Sequence, residues 1–113
     1  MSEERICIGS KEVLLDARGY LAVFAEWDRS VAQHLAVQHN IELTDPHWQV
    51  IEALRDFYEQ YQLSPSMRPL IKYLQSRCVD EKIGSHYLMS LFPGSPATLA
   101  AKIAGLPRPD NCF

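Results

Sequence analysis

The side chains in this sequence that are best suited to covalent chemistry are its three cysteine thiols, Cys7, Cys78 and Cys112. A cysteine acts as a nucleophile through its thiolate, so its exposure and its pKa decide its reactivity. Cys112 is the penultimate residue, in the final run AGLPRPDNCF. A side chain placed there has no core around it. Cys112 is therefore the candidate nucleophile, and a passive exposed thiol is the alternative.

The other two cysteines are expected to be unreactive. Cys78 lies four residues after Leu74 on the apolar stripe of a predicted helix, so we expect a buried thiol. Cys7 alternates with Ile6 and Ile8 in a predicted strand, which places its side chain on the opposite face. The cysteines lack the CxxC or Cys/His spacing that is typical of zinc sites. Their odd number also argues against a disulfide framework.

The histidines, His34, His39, His47 and His86, are scattered along the chain. His34 and His39 are five residues apart, which does not place them on one face of a helix. We therefore expect surface or capping roles for the histidines, no metal site and no cofactor.

The composition is that of a globular protein. The chain has 113 residues, of which 47% are hydrophobic and 22% charged, and its formal net charge is −3. Such a charge gives no general attraction to nucleic acid or to an anionic membrane. No run approaches the ~20 apolar residues of a membrane span, and the acidic start lacks the features of a signal peptide. We expect one domain in the cytoplasm, where the thiols stay reduced.

An N-terminal β-hairpin, at about residues 5–16, is predicted from RICIGSKEVLL, because two short apolar segments flank the turn residues GSK. A helical pattern follows after Gly19. In DRSVAQHLAVQHNI, Asp28 or Ser30 can cap a helix on which Val31 and Leu35 are four residues apart.

Four further helices are predicted. The clearest is TDPHWQVIEALRDFYEQYQ, with Thr44 or Asp45 as its cap and a broad apolar stripe. SMRPLIKYLQSRC and SHYLMSLF give two more, and Pro96 opens a last helix that runs through Ile103 and is terminated by Gly105. The fold class is therefore mainly α with a small β part: a bundle of about five helices with an N-terminal hairpin.

The segment after the last helix is predicted to be an extended arm, residues 105–113, attached to a single domain of residues 1–104. Pro107 and Pro109 fix their own φ angles and bias the preceding residues to extended geometry. A semi-rigid arm loses less conformational entropy when it docks. Such an arm suits a thiol that is delivered to a partner.

These motifs resemble one known family nearly from end to end. The sequence has GYL after the hairpin, HW…LRDFY, SPSMRPLIKYL, YLMSLFPGSPA and, above all, KIAGLPRPDNC with its penultimate cysteine. By this resemblance the chain is identified as a member of the DsrC/TusE family, the sulfur-carrying proteins of sulfite-reductase and tRNA-thiolation pathways.

The resemblance implies a sulfurtransferase that carries a persulfide. Full DsrC proteins have a second cysteine immediately before the basic residue of [KR]IAGLP, where this sequence has Ala101 before Lys102. The chain is therefore similar to the single-thiol branch of the family, in which Cys112 would relay sulfur towards 2-thiouridine at the tRNA wobble position. The implied partners are a sulfur-donor complex similar to TusBCD and a tRNA 2-thiouridylase similar to MnmA, with tRNA contacted at most indirectly and no membrane involved.

The immediate surroundings of Cys112 are expected to keep its thiol protonated at rest. The C-terminal carboxylate and Asp110 both disfavour a nearby thiolate, while Arg108 and Lys102 would favour it if the arm folded back. We expect a pKa at or above the ordinary value for a thiol, with activation by a partner. The residues around LFPGSPA are expected to seat the base of the arm. The residues expected to shape the arm and the surroundings of the thiol are Lys102, Gly105, Leu106, Pro107, Arg108 and Pro109.

A rival hypothesis rests on ALRDFYEQYQLSPSMRPLIKYLQSR. Two helices joined by a short turn, with Arg68 and Lys72 on one face of the second and Arg77 to one side, resemble a helix-turn-helix. The net charge and the acidic residues of the first helix argue against DNA binding. The alternatives are a regulatory or DNA-binding relative of DsrC and a sulfur-trafficking protein of dissimilatory metabolism. Arg68 and Lys72 can instead form a docking face for a partner.

Overall fold

The computed structural model describes residues 3–78 and 82–109. This part of the chain contains a two-stranded sheet, a 3-10 turn at Phe24–Glu26 and five α-helices. The predicted fold class, a small helical bundle with an N-terminal hairpin, is confirmed. The elements are β1 (Glu4–Ile8), β2 (Lys11–Leu15), α1 (Arg29–Gln38), α2 (Asp45–Tyr61), α3 (Met67–Cys78), α4 (Ser85–Leu91) and α5 (Pro96–Ile103).

The strands β1 and β2 pair in antiparallel register, with Cys7 opposite Glu12. Gly9 in the connecting turn has a φ of +64°, a conformation that glycine adopts without the steric cost of a side chain. Val13 and Leu15 are buried against the bundle, whereas Cys7 is exposed. The predicted alternation, which places Cys7 on the outer face of the hairpin, is confirmed.

The first two long helices begin at predicted caps. Asp28 caps α1 by accepting a hydrogen bond of 3.1 Å from the Val31 N–H. Thr44 and His47 form a capping box at the start of α2, in which the Thr44 N–H donates to His47 Nδ1 at 3.1 Å. Because Nδ1 accepts, Nε2 carries the proton and donates it to the Leu91 carbonyl at 2.8 Å. His47 therefore has a capping role and also ties α2 to the end of α4.

The core lies between the inward faces of the helices, and α5 is at its centre because it packs against α1, α2, α3 and α4. On the apolar stripe of α2, Ile51 and Leu54 are fully buried, while Trp48 and Phe57 are half-buried at the edge. The bundle thus surrounds the helix from which the C-terminal arm begins. The largest fully buried side chains include Leu35, Ile51, Leu54, Leu70, Leu74, Leu88, Phe92, Ile103 and Leu106.

The prediction that Cys78 is buried is wrong. Cys78 is exposed, although it follows the buried Leu70 and Leu74 at the same four-residue spacing. An apolar stripe is buried only where another element covers it. Leu74 is the last buried residue of α3 and Cys78 is the last residue of that helix, so the final turn extends beyond the elements that cover the stripe.

Candidate functional site

The candidate site is the base of the C-terminal arm, the segment 103–109 that leads to Cys112. Cys112 itself lies outside the described residues. The described part of the site therefore consists of residues 103–109 and of the contacts that hold them. The chain leaves α5 at Ile103 and can be followed to Pro109.

The end of α5 is a Schellman motif. The Gly105 N–H donates to the Lys102 carbonyl at 3.1 Å, and the Leu106 N–H donates to the Ala101 carbonyl at 2.9 Å. This pair of hydrogen bonds defines the motif. Gly105 has a φ of +76°, in the left-handed region that favours glycine. The prediction that Gly105 terminates the last helix is confirmed.

Two side chains from distant parts of the sequence bind the remaining carbonyls of the helix end. Trp27 Nε1 donates to the Ile103 carbonyl at 2.9 Å, and the Arg55 guanidinium donates to the Ala104 carbonyl at 2.7 Å. The last four carbonyls of a helix have no partner within it. Here the Schellman motif satisfies two of them and these side chains satisfy the other two. The C-terminal end of α5 is therefore fully hydrogen-bonded.

Arg55 is held in place by two aromatic rings. Its guanidinium carbon lies 4.0 Å from the centroid of Phe24 and 4.1 Å from that of Trp27. Aromatic faces attract a guanidinium through their quadrupole, and a cation at a helix C-terminus also interacts favourably with the helix dipole. Burial lowers the pKa of Arg55 and neighbouring Glu59 raises it. Arginine nevertheless stays protonated in proteins, so Arg55 is a charged clamp on the helix end.

Gly105 is in close contact with the Trp27 ring. A Cβ atom at Gly105 would lie 2.5 Å from Trp27 Cδ1 and 2.9 Å from its Cγ. Real carbon atoms do not approach so closely without displacement, and the indole is itself fixed by its hydrogen bond to Ile103. Glycine is therefore required here by its φ angle and by the lack of space.

The chain stays on the domain beyond the helix end. Leu106 is fully buried, and the Ser64 hydroxyl donates to the Pro107 carbonyl at 2.5 Å. Pro109 is buried as well, while Pro107 and Arg108 are exposed. The described part of the predicted arm is thus packed on the bundle, and its direction is set by contacts with α2 and the loop after it.

The basic residues predicted for the site are distributed over two neighbouring cavities. Arg68 and Arg108 line an open groove of about 990 Å³, together with residues of the predicted seat LFPGSPA. Lys102 lines a second cavity of about 410 Å³, which also reaches Arg108. Lys72 lines neither cavity. The residues that line this groove are Ser66, Met67, Arg68, Ser85, Met89, Gly94, Ser95, Pro96, Ala97, Thr98 and Arg108.

Trp27, Arg55 and Ser64 were not predicted from the sequence as residues of the site. Arg55 gave a signal that could have been used: it lies four residues after buried Ile51 on α2, where a charged side chain needs a partner. Trp27 and Ser64 gave none, because the carbonyls they bind lie 76 and 43 residues further along the chain.

Neither a metal-binding cluster nor a membrane-spanning helix is found in the part of the chain that the structure describes. No group of three or more His, Cys, Asp or Glu side chains there is arranged to hold a metal ion. Among the same residues, no helix combines the length and the apolar character that crossing a membrane requires.

Comparison with known proteins decides the family. The family model described as DsrC like protein matches residues 7–113. The chain belongs to the DsrC-like family. The sulfurtransferase TusE of Photorhabdus laumondii is 45% identical over 103 residues, which cover 91% of this chain and 93% of that protein. The sulfurtransferase TusE homolog of Haemophilus influenzae is 44% identical over 106 residues, which cover 94% of this chain and 97% of the homolog.

Solved structures of DsrC proteins share the fold of this DsrC-like chain. The NMR structure of Allochromatium vinosum DsrC has a TM-score of 0.90 and 41% identity, and the match covers 98% of this chain and 99% of that one. The crystal structure of the oxidized gamma-subunit of dissimilatory sulfite reductase (DsrC) from Archaeoglobus fulgidus has a TM-score of 0.83 and 35% identity, covering 97% and 100% of the two chains. The predicted family membership is confirmed.

Proposed function

We propose that this protein is a sulfur carrier, a sulfurtransferase that takes a sulfane sulfur on Cys112 and passes it to an acceptor protein. The family and the sulfurtransferase names of its relatives support sulfur transfer in general. The observation that carries the proposal is the anchored base of the arm. Trp27, Arg55 and Ser64 fix the chain as far as Pro107, five residues before the cysteine.

The loading step is an exchange between two thiols. The Cys112 thiolate attacks the outer sulfur of a cysteine persulfide on the donor, so one S–S bond forms and the S–S bond of the donor breaks. The donor cysteine leaves as a thiolate and takes up a proton, and Cys112 becomes the persulfide. No electron is gained or lost overall. Delivery repeats the same exchange, with an acceptor thiolate attacking the outer sulfur on Cys112.

An anchored base restricts where the thiol is presented. Cys112 follows Pro109 by three residues, and three residues span at most about 11 Å when fully extended. A short tether of this kind keeps the thiol at a high effective concentration for a partner bound beside it. A partner bound there can supply the positive charge that lowers the pKa of the thiol.

The chain offers one candidate for the carrier thiol. Cys7 lies on the outer face of the hairpin and Cys78 at the end of α3, and neither contributes to the base of the arm. Ala101, fully buried in α5, has no thiol for a two-cysteine cycle. This supports a single-thiol relay of the kind that leads to tRNA 2-thiouridine in the cytoplasm, with a donor similar to TusBCD and an acceptor similar to MnmA.

The first test is intact-protein mass spectrometry after incubation with a cysteine desulfurase, free cysteine and the donor complex. We expect a gain of one sulfur atom, mapped to the C-terminal peptide and lost in Cys112→Ser. Cys7→Ser and Cys78→Ser are the matched controls, and both should still load. Sulfur found on another cysteine, or none on Cys112 with any competent donor, would contradict the proposal.

The second test follows the sulfur to tRNA. A reconstituted relay with the 2-thiouridylase should form 2-thiouridine with the wild type and lose it with Cys112→Ser, as measured by nucleoside mass spectrometry. Unchanged thiolation by Cys112→Ser would remove the carrier role. Loading of Cys112 without any 2-thiouridine would keep the carrier and exclude the tRNA pathway.

No described contact favours the helix-turn-helix alternative. Arg77, the third basic residue of the proposed recognition helix, forms an ion pair with Asp56 of α2, which reduces its attraction for phosphate. Arg68 lines the groove and Lys72 does not. The double variant Arg68→Glu with Lys72→Glu tests this alternative in a DNA-binding assay. If it abolished function while Cys112→Ser had no effect, the carrier proposal would be replaced.

A further inference from the structure

The groove beside the arm has an apolar floor. It lies between the first turns of α3 and α5, and α4 closes one side. Met89 is 45% exposed. Methionine is unbranched and polarizable, so it adapts to different apolar partners. Exposed apolar surface rimmed by polar groups is typical of interaction sites. The apolar residues of the floor are Met67, Met89, Pro96 and Ala97.

The rim of the groove is cationic. Arg68 and Arg108 lie on it, and the adjoining cavity adds Arg18, His39 and Lys102. Neither cavity has an aspartate or glutamate among its described lining residues. Burial, and secondly Lys102, lowers the pKa of His39, so its imidazole is neutral at pH 7. The positive charge of this surface therefore comes from arginine and lysine, which stay charged throughout the neutral range.

We propose that the groove is the docking site for a protein segment that carries a carboxylate next to an apolar side chain. The carboxylate would pair with Arg68 and Arg108, and the apolar side chain would rest on Met67 and Met89. The charge complements the cationic rim, and the net charge of −3 on the whole chain makes this cationic patch a local feature. This inference rests on the proposed carrier function, because it assigns the surface on which the sulfur-donor protein is held.

The groove fits a protein segment better than a nucleic acid backbone. Phosphate binding depends on many cationic contacts with the backbone, whereas this groove has two arginines, Arg68 and Arg108, together with the exposed side chain of Met89. Arginine and methionine are both enriched at protein–protein interfaces. Buried apolar area would supply affinity, and the arginines would supply orientation and association rate.

The position of the groove explains why docking there would serve transfer. Arg108 belongs both to the rim and to the arm, and it precedes Cys112 by four residues. A segment held against Arg108 therefore places the partner within reach of the thiol. The docking face predicted from the sequence paired Arg68 with Lys72, but only Arg68 lines the groove. The geometry pairs Arg68 with Arg108 instead.

Binding can be measured by NMR chemical-shift changes on the full-length, ¹⁵N-labelled chain. The probe is an acetylated tetrapeptide of alternating glutamate and leucine. Matched peptides replace glutamate with glutamine or leucine with serine. We expect the Glu–Leu peptide to shift the amides of Arg68, Met89 and Ala97, and each matched peptide to bind at least about tenfold more weakly.

Charge reversal locates the contact. Arg68→Glu should weaken the binding of the Glu–Leu peptide by about tenfold or more. Arg5→Glu reverses an exposed charge on the hairpin, where Arg5 lies 3.7 Å from Glu12, and should leave binding unchanged. Lys72→Glu should also leave it unchanged. Equal losses of peptide affinity in Arg68→Glu and Lys72→Glu would assign docking to the outer face of α3 and contradict the proposal that the groove is the docking site.

Two further outcomes would overturn the proposal. One is the absence of shifts at the groove with the Glu–Leu peptide. The other is that tRNA shifts the same amides at lower concentration than the peptide, which would make the groove a phosphate site.

Sulfur loading separates this inference from the carrier function. Arg68→Glu should slow loading of Cys112 from the protein donor by about tenfold or more, while loading from inorganic polysulfide stays as in the wild type. If polysulfide and protein donor both fail to load the wild type, the carrier proposal fails. If polysulfide and the protein donor both load Arg68→Glu at the wild-type rate, the carrier proposal stands and the proposal that the groove is a docking site fails.

Discussion

The N-terminal hairpin and the base of the C-terminal arm are attached to the same bundle in different ways. In the hairpin, β1 pairs with β2 across a short turn, so most of its hydrogen bonds join neighbours in sequence. The described residues after α5, 104–109, form no helix or strand. The carbonyls of Ile103, Ala104 and Pro107 are bound by Trp27, Arg55 and Ser64, which precede their partners by 76, 49 and 43 residues.

This difference shows how residues outside helices and strands can be held on a domain by side-chain hydrogen bonds. Buried backbone groups must find partners, and a segment outside helices and sheets finds them in side chains. The cysteine of the hairpin, Cys7, is exposed on a strand whose backbone is fixed. The side-chain contacts at the base of the arm instead fix the chain as far as Pro107, five residues before Cys112. They set the point from which the proposed carrier thiol is tethered.

Replacement of Gly105 at the base of the arm and of Gly9 in the hairpin turn should give the largest difference in stability between the two regions. Gly105→Ala should lower the free energy of unfolding by about 3 kcal/mol, since the new methyl group combines a left-handed φ with a clash against Trp27. Gly9→Ala has a similar φ but nothing within 4 Å of the new atom, and should cost only about 1 kcal/mol. Urea unfolding of both variants measures the difference.

The glycine comparison also has an internal control. Gly84 has an extended backbone and open space around it, but it is the N-cap of α4. Because glycine is preferred over alanine at an N-cap, Gly84→Ala should cost up to about 1 kcal/mol, well below Gly105→Ala. Equal losses in Gly105→Ala and Gly9→Ala would mean that the Trp27 ring moves freely, and the clamp on the arm would be refuted.

Removal of the Arg55 clamp should be the next largest effect. Arg55→Leu leaves the Ala104 carbonyl without its partner and should cost about 2 kcal/mol. Arg55→Lys keeps the charge but not the planar stack between Phe24 and Trp27, so it should recover part of the loss.

Hydrogen exchange can show that this loss is local to the arm. The amide of Leu106, bonded to Ala101, should exchange faster in Arg55→Leu than in the wild type. The amide of Ala22, bonded to Leu14 beside the hairpin, should show a smaller change. Equal acceleration of both amides would indicate general destabilisation and no positioning role for Arg55.

The two ends also differ in how far the sequence predicts them. Alternation and turn residues predict the hairpin and the outward direction of Cys7, because strand pairing there is local. Caps and the glycine at position 105 likewise predict the limits of α5. The clamp was not predictable, because no local pattern links Trp27 or Ser64 to a carbonyl more than 40 residues away. Cys78 shows the same limit of prediction, since the spacing of apolar residues along α3 does not show how far the neighbouring elements cover that helix.

The hydrogen bond from Ser64 to the Pro107 carbonyl is the described side-chain contact of the arm that lies nearest to Cys112, and removing it tests how that contact holds the arm. Ser64→Ala should cost about 1 kcal/mol, because the Pro107 carbonyl loses the hydrogen bond from the buried Ser64 hydroxyl. Ser10→Ala, in the exposed turn of the hairpin, should lie within about 0.5 kcal/mol of the wild type. Thermal unfolding distinguishes the two. Equal stability of both variants would mean that Ser64 does not hold the arm.

The hairpin should differ from the arm in its response to pH, although this effect is the smallest. Lys11 on β2 lies 3.1 Å from Asp28, the cap of α1. Hydrogen bonds from the Ser30 hydroxyl, the Val31 N–H and Lys11 lower the pKa of Asp28 from 3.8 to about 2. Because the pKa is lower in the folded state, the stabilisation is complete above the unfolded value and is lost as the pH falls through about 2.

Asp28→Asn keeps a good cap but removes this charge, so it should cost about 0.5 kcal/mol at neutral pH. The difference from the wild type should disappear at a pH of about 2, as measured by denaturant unfolding across the acid range. Most of the loss caused by Arg55→Leu should persist there, because the Ala104 carbonyl and the aromatic rings do not titrate in acid and only the attraction of Glu59 is lost. If the cost of Arg55→Leu vanished in acid as well, both ends would depend on a titrating group and the contrast between them would be lost.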